Sequence, residues 1–368
     1  MPLHMAFKTA STIVLHDYFE QIEGGGQLSR CLAEQLPADL AYGFACLPRP
    51  LLRGGKEWDL QQFSAIPLWR QFKLARAFAQ QTAFLNEYDT VIYSGFYTPL
   101  AVHQRKKYGN VLYCHTPPRF IYDQKAFYQQ RLPWLLRPLL NAFITYLQPR
   151  YESAVKQMQL VIANSQHVRA RIQHYLGCDA AVIYPPCDMQ QFRWLEQGNY
   201  YLSTARLDPL KRVDQLVRAF LELPDRQLVV ASGGSELARL KKLAQGASHI
   251  HFTGWLSATQ LADVVGRAMA TLYVPYAEDF GMSPVESMSA GKPVIGVAEG
   301  GLLETVIHGE TGLLLPPNFD LSQLQAAILA LTPSRALTMR HACERRAQQF
   351  STSRFIAEMR QQLSLLEK

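Results

Sequence analysis

One stretch of the chain combines a buried strand, a polar loop, a helix and a second buried strand: residues 270–296 read ATLYVPYAEDFGMSPVESMSAGKPVIG. Its two apolar runs, 270–274 and 293–296, are typical of strands that are buried on both faces. The residues between them end in a helical pattern that stops at Gly291. Two buried strands joined by a helix predict a parallel sheet with helices on its faces.

The same pattern recurs in two series along the chain. Further apolar runs stand at 12–15, 90–93, 111–114, 160–163 and 181–184 in the first half, and at 200–203, 227–230 and 250–252 in the second. Helical stretches such as Arg212–Leu221 and Glu236–Ala244 separate them. The predicted fold class is therefore α/β, with two doubly wound, Rossmann-like domains. Ligands of such sheets bind beyond the carboxyl ends of the strands, so we expect the site in a cleft between the domains.

The domain boundaries follow from the prolines and from the end of the second series. Paired prolines end a strand and stiffen the connection after it, which places the join at Pro185-Pro186. We expect a first domain at 1–184 that binds the acceptor and a second at 185–350 that binds the donor. Residues 351–368 are predicted to form a C-terminal helix that packs back on the first domain.

Composition excludes several classes of protein. The chain has 368 residues, of which 48% are hydrophobic and 18% charged, unlike a disordered chain, a collagen or a coiled coil. The six cysteines form no C-x-x-C pair and no Cys/His cluster, so we expect neither a disulfide scaffold nor a metal site. The first 20 residues lack the apolar segment of a secretory signal. We expect a cytoplasmic protein, either free or peripheral on the inner face of the membrane.

The positive charge is concentrated in the first half of the chain. Residues 1–184 contain 19 Lys and Arg against 12 Asp and Glu, which accounts for the whole net charge of +7. This favours an anionic partner, such as a membrane surface or a phosphorylated substrate, over the alternative of a solvated basic surface. No basic run is longer than Arg105-Lys106-Lys107, so nucleic acid is not expected.

An apolar, aromatic stretch at 132–147 has two interpretations. It is too short and too interrupted to span a bilayer, which needs about 20 apolar residues. It is either a helix that lies in the membrane interface or a buried helix of the first domain. The basic residues around it are Lys125, Arg131, Arg137 and Arg150, and a second contact of the same kind would use Trp69, Phe72, Lys73 and Arg76.

The chemistry is concentrated in the loop and helix after the strand at 270–274. Glu278 and Glu286 stand eight positions apart, and a helix is predicted to begin at Ser283-Pro284. The backbone N–H groups of Phe280, Gly281 and Met282 would suit a phosphate or a hydroxyl-rich ligand, and carboxylates accept hydrogen bonds from sugar hydroxyls. The alternative is a capped helix with two solvated acids.

Two cations follow the strand at 200–203. Arg206 and Lys211 could neutralise a leaving diphosphate without a metal, since charge builds on the diphosphate as the sugar bond breaks. The alternative is a surface pair between Arg206 and Asp208 beside a solvated lysine.

In the first domain, the glycine run at 24–26 follows a strand and precedes a predicted helix at Leu28–Leu36. Gly25 and Gly26 could therefore let the backbone approach a phosphate, or could simply form a turn. His115 ends the strand at 111–114 and is expected to face the cleft; the alternative is a structural histidine. Weaker candidates for acceptor binding are His16, Asp17 and Arg119.

Together these motifs resemble the retaining glycosyltransferases of family 4, which have the GT-B fold. The resemblance rests on the Glu-seven-residues-Glu segment at 278–286 and on Arg206 with Lys211. It also covers the glycine run at 24–26, the segment 184–188, Gly300-Gly301 with Glu304, and the segment 309–312. Asp279 departs from the glycine common in the family. The string from Cys114 to Arg119, with Tyr122-Asp123 after it, is most similar to mannosyltransferases of bacterial polysaccharide assembly.

The resemblance implies a role for each candidate. Glu286 would bind the ribose, Glu278 the transferred hexose, and the backbone near Trp255 and Leu256 the base, while His115 would lie beside the sugar. The implied reaction transfers a hexose to a lipid-linked or glycan acceptor, with retention and without a metal. The donor would be GDP-mannose, which supplies mannose, or a UDP-sugar. The leaving phosphate would help to deprotonate the acceptor, so no general base is needed.

Three other functions remain open at this point. A glycosidase also uses two carboxylates but needs no diphosphate clamp. A sugar-nucleotide epimerase shares the fold and the nucleotide site, and a non-catalytic module would bind the nucleotide sugar without turning it over. Donor consumption that depends on an acceptor would distinguish a transferase from all three.

Overall fold

The computed structural model describes residues 12–20, 24–66 and 68–366. The described residues form two compact units. The first unit contains the residues up to Ile183 and those from Ile356 onward, and the second contains Tyr184–Phe355. Each unit has its own parallel sheet and its own apolar core. The predicted fold class, two Rossmann-like α/β domains, is confirmed.

The first unit alternates strands with helices. Its elements are β1 (Thr12–His16), α1 (Gly24–Gln35), β2 (Asp39–Tyr42), β3 (Glu57–Asp59), α2 (Trp69–Gln80), β4 (Thr90–Ser94), β5 (Asn110–Cys114), α3 (Lys125–Arg131), α4 (Arg137–Val155), β6 (Leu160–Ala163), α5 (Gln166–Leu176) and β7 (Ala181–Val182). All seven strands are parallel, in the order β3-β2-β1-β4-β5-β6-β7. The strand order reverses direction between β1 and β4, which is where doubly wound sheets bind their ligands.

The second unit repeats this plan with six parallel strands. Its elements are β8 (Tyr200–Ser203), α6 (Val213–Leu221), β9 (Gln227–Val230), α7 (Leu237–Leu243), β10 (Ile250–Phe252), α8 (Ala258–Arg267), β11 (Ala270–Tyr273), α9 (Met282–Ser289), β12 (Val294–Val297), α10 (Leu302–Thr305), β13 (Gly312–Leu315), α11 (Leu321–Ala330), α12 (Pro333–Ala347) and the start of α13 (Thr352–Ser364). The order is β10-β9-β8-β11-β12-β13, so the direction reverses between β8 and β11. From Ile356 onward, α13 groups with the first unit.

The apolar stretch at 132–147 becomes mostly a packed helix. A 3-10 helix at Trp134–Leu136 leads into α4, which buries Leu140, Phe143 and Leu147 in the core of the first unit. The residues at the start of the stretch are different: Trp134 and Leu135 in the 3-10 helix and Leu139 in the first turn of α4 are exposed to solvent. Among the described residues, no helix is both long enough and apolar enough to cross a bilayer.

Candidate active site

The candidate residues of the second unit gather beyond the carboxyl ends of β8 and β11, the pair of strands at which its order reverses. Arg206 and Lys211 follow β8, and Glu278 follows β11. Hydrogen bonds join these loops: the N–H of Tyr276 donates to the carbonyl of Leu210 at 2.7 Å, and Arg212 donates to the carbonyls of Val274 and Pro275, each at 2.7 Å. The fold therefore assembles the predicted diphosphate and sugar residues at one edge of the sheet.

Lys211 and Glu278 form an ion pair. The Lys211 Nζ lies 2.6 Å from Glu278 Oε2 and 3.1 Å from the hydroxyl of the buried Tyr273. Burial lowers the pKa of Lys211, but the charge of Glu278 and the Tyr273 hydroxyl outweigh it and raise that pKa well above its ordinary value. The ion pair therefore favours the charged form of the lysine. Tyr273 is a third member of this group that the sequence pattern does not indicate.

Arg206 lies at the same edge with an exposed side chain. It stands three residues after the last residue of β8, in the loop that leads to the 3-10 helix Pro209–Lys211. The Asp208 carboxylate caps that 3-10 helix by accepting from the N–H of Leu210 at 3.1 Å. Asp208 thus holds the turn that carries Lys211, and the side chain of Arg206 is exposed at the same edge.

The loop before α9 presents backbone N–H groups. The helix begins at Met282 rather than at the predicted Ser283, and its N-cap is Gly281 with φ +90°. A glycine adopts this left-handed conformation without the strain that a Cβ would cause, which explains why the serine does not cap the helix. Within the described part of the chain, the N–H groups of Phe280, Gly281 and Met282 make no hydrogen bond. The Phe280 ring itself is buried, 5.7 Å from Tyr184 and 5.5 Å from Phe350.

Two glycines hold the Glu278 loop against α10. The N–H of Gly301 donates to the carbonyl of Glu278 at 2.9 Å. A Cβ on Gly300 would overlap that carbonyl, and a Cβ on Gly301 would overlap the Cα of Phe280. The backbones approach this closely only because both residues lack a side chain. From the other side, Glu299 accepts from the N–H of Ala277 at 2.8 Å.

Glu286 lies one turn into α9, half-buried, and burial raises the pKa of its carboxyl to about 7. Its carboxylate makes no hydrogen bond to any residue that the structure describes. The carboxylate also adds to the effect of burial in raising the pKa of the neighbouring Cys187 thiol. A buried acid without a partner is costly, and hydroxyl groups of a ligand would satisfy it.

Trp255 and Leu256 follow β10, next to the β9 loop. The Trp255 ring is 56% exposed and stacks on Gly233, where a Cβ would overlap Nε1 of the indole. Leu256 is half-buried and packs on the core of the second unit. The Gly233-Gly234 pair was not predicted as part of a site, although a glycine pair directly after a buried strand is the available signal. The N–H of Leu207, the residue after Arg206, donates to the Gly233 carbonyl at 2.9 Å, so the loop after β9 meets the loop after β8 at this glycine pair.

The candidates of the first unit meet where its strand order reverses. His16 ends β1, Ser94 ends β4 and His115 follows β5. The Ser94 Oγ lies 2.8 Å from Nε2 of His115, and Nδ1 of His16 lies 2.8 Å from the Ser94 carbonyl. Burial lowers the pKa of His16 to about 4 and that of His115, with a smaller effect of His16, to about 3. Both imidazoles are therefore neutral at pH 7.

The glycine run does not form the predicted loop. Gly24–Gly26 are the first turn of α1, so the helix begins four residues before the predicted Leu28. A Cβ on Gly25 would rest on the rings of His16 and His115 at 3.6–3.7 Å, and one on Gly26 would press on Phe19 at 3.2 Å. The start of α1 therefore packs against the two histidines and Phe19, and a side chain would be tight at Gly26 but not at Gly25. The N–H groups of the first turn of a helix have no partner within the helix itself.

Asp17 and Arg119 have partners within the protein. The buried Asp17 carboxylate accepts from the backbone N–H groups of Phe96, Tyr97 and Thr98 at 2.6–3.2 Å. Burial raises its pKa to about 6, although these three bonds lower it. Asp17 thus holds the loop after β4.

Arg119 pairs with Asp123 at 2.7 Å, and Asp123 also binds Arg171 at 2.7 Å. Although burial alone would raise the pKa of Asp123, the two guanidinium groups lower it well below its ordinary value. The cluster joins the segment after β5 to α5. In residues 12–20, 24–66 and 68–366, no group of three or more His, Cys, Asp or Glu side chains is arranged to hold a metal ion.

Two family models match the chain, one in each half. The model "Glycosyltransferase Family 4" matches residues 38–191, and the model "Glycosyl transferases group 1" matches residues 187–350. A curated relative, the D-inositol 3-phosphate glycosyltransferase of Rhodococcus erythropolis, is 29% identical over 231 residues, 54% of this chain and 52% of its own. The chain spans between 29% and 52% of the length of the relatives of that name.

Solved structures match along nearly the whole chain. Sucrose-phosphate synthase from Thermosynechococcus elongatus superposes with a TM-score of 0.77 at 22% identity, covering 97% of this chain and 99% of that one. HepE of Anabaena, in complex with UDP and glucose, superposes with a TM-score of 0.75 at 19% identity, covering 96% and 99%. At these identities the likeness shows a common fold.

Proposed function

Because this chain belongs to glycosyltransferase family 4 and has the GT-B fold, we propose that it transfers a hexose, with retention, from a nucleoside diphosphate sugar to an acceptor hydroxyl. The observation that carries the proposal is the group at the carboxyl ends of β8 and β11. There the Lys211–Glu278 pair, the exposed Arg206 and the unbonded N–H groups of 280–282 share one sheet edge.

Each residue of that group would have a separate role in the reaction. The leaving diphosphate carries the charge that builds as the sugar bond breaks, and Lys211 with Arg206 would neutralise it. Glu278, already fixed by Lys211, would accept hydrogen bonds from hydroxyls of the hexose. Glu286 would accept them from the ribose. His115 would contact the transferred sugar, and no metal is needed in this scheme.

The donor has two candidates. The segment from Cys114 to Arg119 favours mannose from GDP-mannose. The structural likeness to HepE, which was solved with UDP and glucose, supports a UDP-hexose as the second candidate. In both cases Trp255 offers the exposed ring on which a base or ribose would pack.

The proposed acceptor is a lipid-linked molecule or a glycan. An exposed apolar and basic surface on the first unit supports this proposal. Trp134 is 72% exposed at the start of α4, close in sequence to the exposed Arg131 and Arg137. Exposed aromatic residues beside arginines are typical of surfaces that bind anionic bilayers. We propose peripheral membrane binding through this start of α4.

The first experiment measures calorimetric binding of GDP, UDP and ADP, each with and without EDTA. We expect one of GDP and UDP to bind, unchanged by EDTA, and Arg206→Ala to weaken that binding at least tenfold. Arg239→Ala is the matched control, because Arg239 is an exposed, ion-paired arginine on α7. Arg206→Ala with full affinity would contradict the clamp, and no binding of any nucleotide would contradict the proposed function.

The second experiment follows consumption of labelled GDP-mannose and UDP-glucose with and without a membrane extract as the source of acceptor. Acceptor-dependent consumption supports a transferase. Conversion of the donor without acceptor would indicate an epimerase, and binding without consumption would indicate a non-catalytic module.

Sedimentation with phosphatidylglycerol vesicles tests the membrane contact. Trp134→Glu should release the protein from the vesicles. Tyr108→Glu should not, because Tyr108 is an exposed aromatic residue elsewhere, before β5.

A further inference from the structure

A chain of hydrogen bonds joins the two histidines of the first unit through two serines. The Ser94 Oγ lies 2.8 Å from His115 Nε2 and 2.9 Å from the Ser29 Oγ. The Ser29 Oγ in turn lies 3.0 Å from His16 Nδ1. Both serines are completely buried, whereas the two imidazoles at the ends are half-buried. Neither serine carries a sequence signal, because α1 and β4 meet only in the folded sheet.

The direction of donation along this chain follows from its fixed end. Nδ1 of His16 lies 2.8 Å from the Ser94 carbonyl, which can only accept, so Nδ1 of His16 carries a proton. That N–H also reaches the Ser29 Oγ at 3.0 Å, which leaves the Ser29 proton to be donated onward to the Ser94 Oγ. The Ser94 proton then points at Nε2 of His115. Hydrogen bonds that run in one direction strengthen one another.

Ser29 has one competing acceptor, the carbonyl of Gly25 at 3.0 Å. That carbonyl lies in the first turn of α1, where it also accepts from the helix backbone four residues on. The other partner of the Ser94 Oγ is Nε2 of His115, which donates or accepts according to its tautomer. The 2.9 Å contact is oriented from Ser29 to Ser94, and in that orientation the Ser94 proton is left for Nε2 of His115.

We propose that Ser94, supported by Ser29 and His16, is a positioning residue that fixes His115 in the tautomer with its proton on Nδ1. His115 then offers an N–H, and not a lone pair, to the substrate. Nδ1 of His115 has no partner among the residues that the structure describes, so it is the nitrogen left for a ligand. The ring is neutral at pH 7, so it donates a hydrogen bond because its single ring proton is on Nδ1, and not because the ring is positively charged.

This assignment, which rests on the proposed function only for the identity of the ligand, changes the chemistry open to His115. An N–H donor beside a sugar binds a hydroxyl or ring oxygen and orients it. It cannot remove the acceptor proton as a general base. The tautomer lock therefore fits a reaction in which the leaving phosphate takes that proton.

The direct test is the ¹⁵N shift of the His115 ring nitrogens in protein with labelled histidine, assigned by comparison with His115→Gln. We expect Nδ1 to be protonated and Nε2 unprotonated in the natural protein, and a mixture of tautomers in Ser94→Ala. A matched control is Ser203→Ala, because Ser203 is equally buried at the end of β8 and its hydroxyl is without a partner. A proton on Nε2, or an unchanged tautomer in Ser94→Ala, would overturn the proposal.

Kinetics add a second readout. Ser94→Ala should lower kcat about tenfold, as expected for one buried hydrogen bond, with little change in nucleotide affinity. Ser94→Thr, which restores the hydroxyl, should recover the tautomer and most of kcat. The ¹⁵N spectra need no substrate, so a protein without transferase activity would contradict the proposed function and still report on the tautomer lock.

Discussion

At the scale of single residues, the pairing of Lys211 with Glu278 is the most informative feature of the molecule. The sequence motifs assign one residue to the diphosphate and the other to the sugar, 67 positions apart along the chain. In the folded unit they are joined at 2.6 Å, with Tyr273 as a third partner. In the proposed scheme, phosphate binding and sugar binding would therefore share this ion pair, and a change in either residue should affect both.

Lys211→Met should show this coupling. It removes the charge proposed to bind the diphosphate and leaves Glu278 without its partner, so we expect nucleoside diphosphate affinity to fall at least tenfold and stability to fall by about 3 kcal/mol. Adding Glu278→Gln should restore most of the stability, because the unpaired charge is gone, but none of the affinity. Calorimetry and thermal unfolding measure the two effects, with the exposed Lys242→Met as the control. Affinity that recovers in the double variant would contradict the role of Lys211 in binding.

Glu286 should make stability depend on pH. Its pKa in the folded protein, about 7, lies above the unfolded value of 4.5. The folded state therefore keeps a proton that the unfolded state releases, and stability falls as the pH rises from 4.5 to 7. Solvent at the half-buried carboxylate reduces the effect to about 2 kcal/mol.

Glu286→Gln removes this dependence. It should unfold like the natural protein at pH 5 and at a higher temperature at pH 8, while losing affinity for the donor. Glu310→Gln, at an exposed position, is the control. An equal difference at both pH values would show that Glu286 does not titrate in this range.

Residues whose role depends on contacts with distant parts of the chain could not be identified from the sequence. Glu278, Glu286, Arg206 and Lys211 belong to motifs, so their types and spacing identify them. Ser29 and Ser94 are ordinary serines in the sequence. The pairing of β4 with β1 and β5 brings Ser94 to the histidines, and the packing of α1 on the sheet brings Ser29 to them. Asp17, predicted as an acceptor contact, instead binds three backbone N–H groups of the chain 79 to 81 residues on. Its partners are backbone atoms, which carry no signature in the sequence.

At the scale of elements, the apolar runs predict ten of the thirteen strands that the structure describes and miss β2, β3 and β13. β3 has the sequence EWD and β2 contains Asp39, so neither is a continuous apolar run. β13 begins with Gly312 and continues with leucines, without the β-branched residues that favour strands. The three missed strands lie in edge or near-edge positions of the sheets. The glycine run, predicted to precede the helix, instead forms the first turn of α1.

The tight contact between α10 and the Glu278 loop gives a prediction at this scale. In Gly301→Ala the added Cβ would overlap the Cα of Phe280 and push the loop that carries Glu278 and the N–H groups of 280–282. We expect a loss of stability of about 1–3 kcal/mol and donor affinity lowered about tenfold. Gly54→Ala is the control, because nothing lies within 4 Å of its Cβ position. Unchanged affinity in Gly301→Ala would show that the loop does not depend on this contact for its position.

At the scale of the whole molecule, the first unit is built from two distant parts of the chain. Residues from Ile356 onward group with it, and Arg360 on α13 donates to the carbonyl of Gln35 at the end of α1 at 3.0 Å. Ile356 and Met359 are buried. The stability of the unit that carries His115 therefore depends on residues that follow the whole second unit in the sequence.

Met359→Ala tests this dependence. Loss of a completely buried methionine should destabilise by about 2–4 kcal/mol, and the loss should fall on the first unit. In hydrogen exchange, we expect faster exchange in β1, β4 and β5 and unchanged exchange in β8 and β11, because local opening follows the unit whose core is damaged. Leu365→Ala, at a position 57% exposed, should leave both units unchanged. Equal acceleration in both sheets would show instead that the two units unfold as one, with α13 as part of a shared cooperative core.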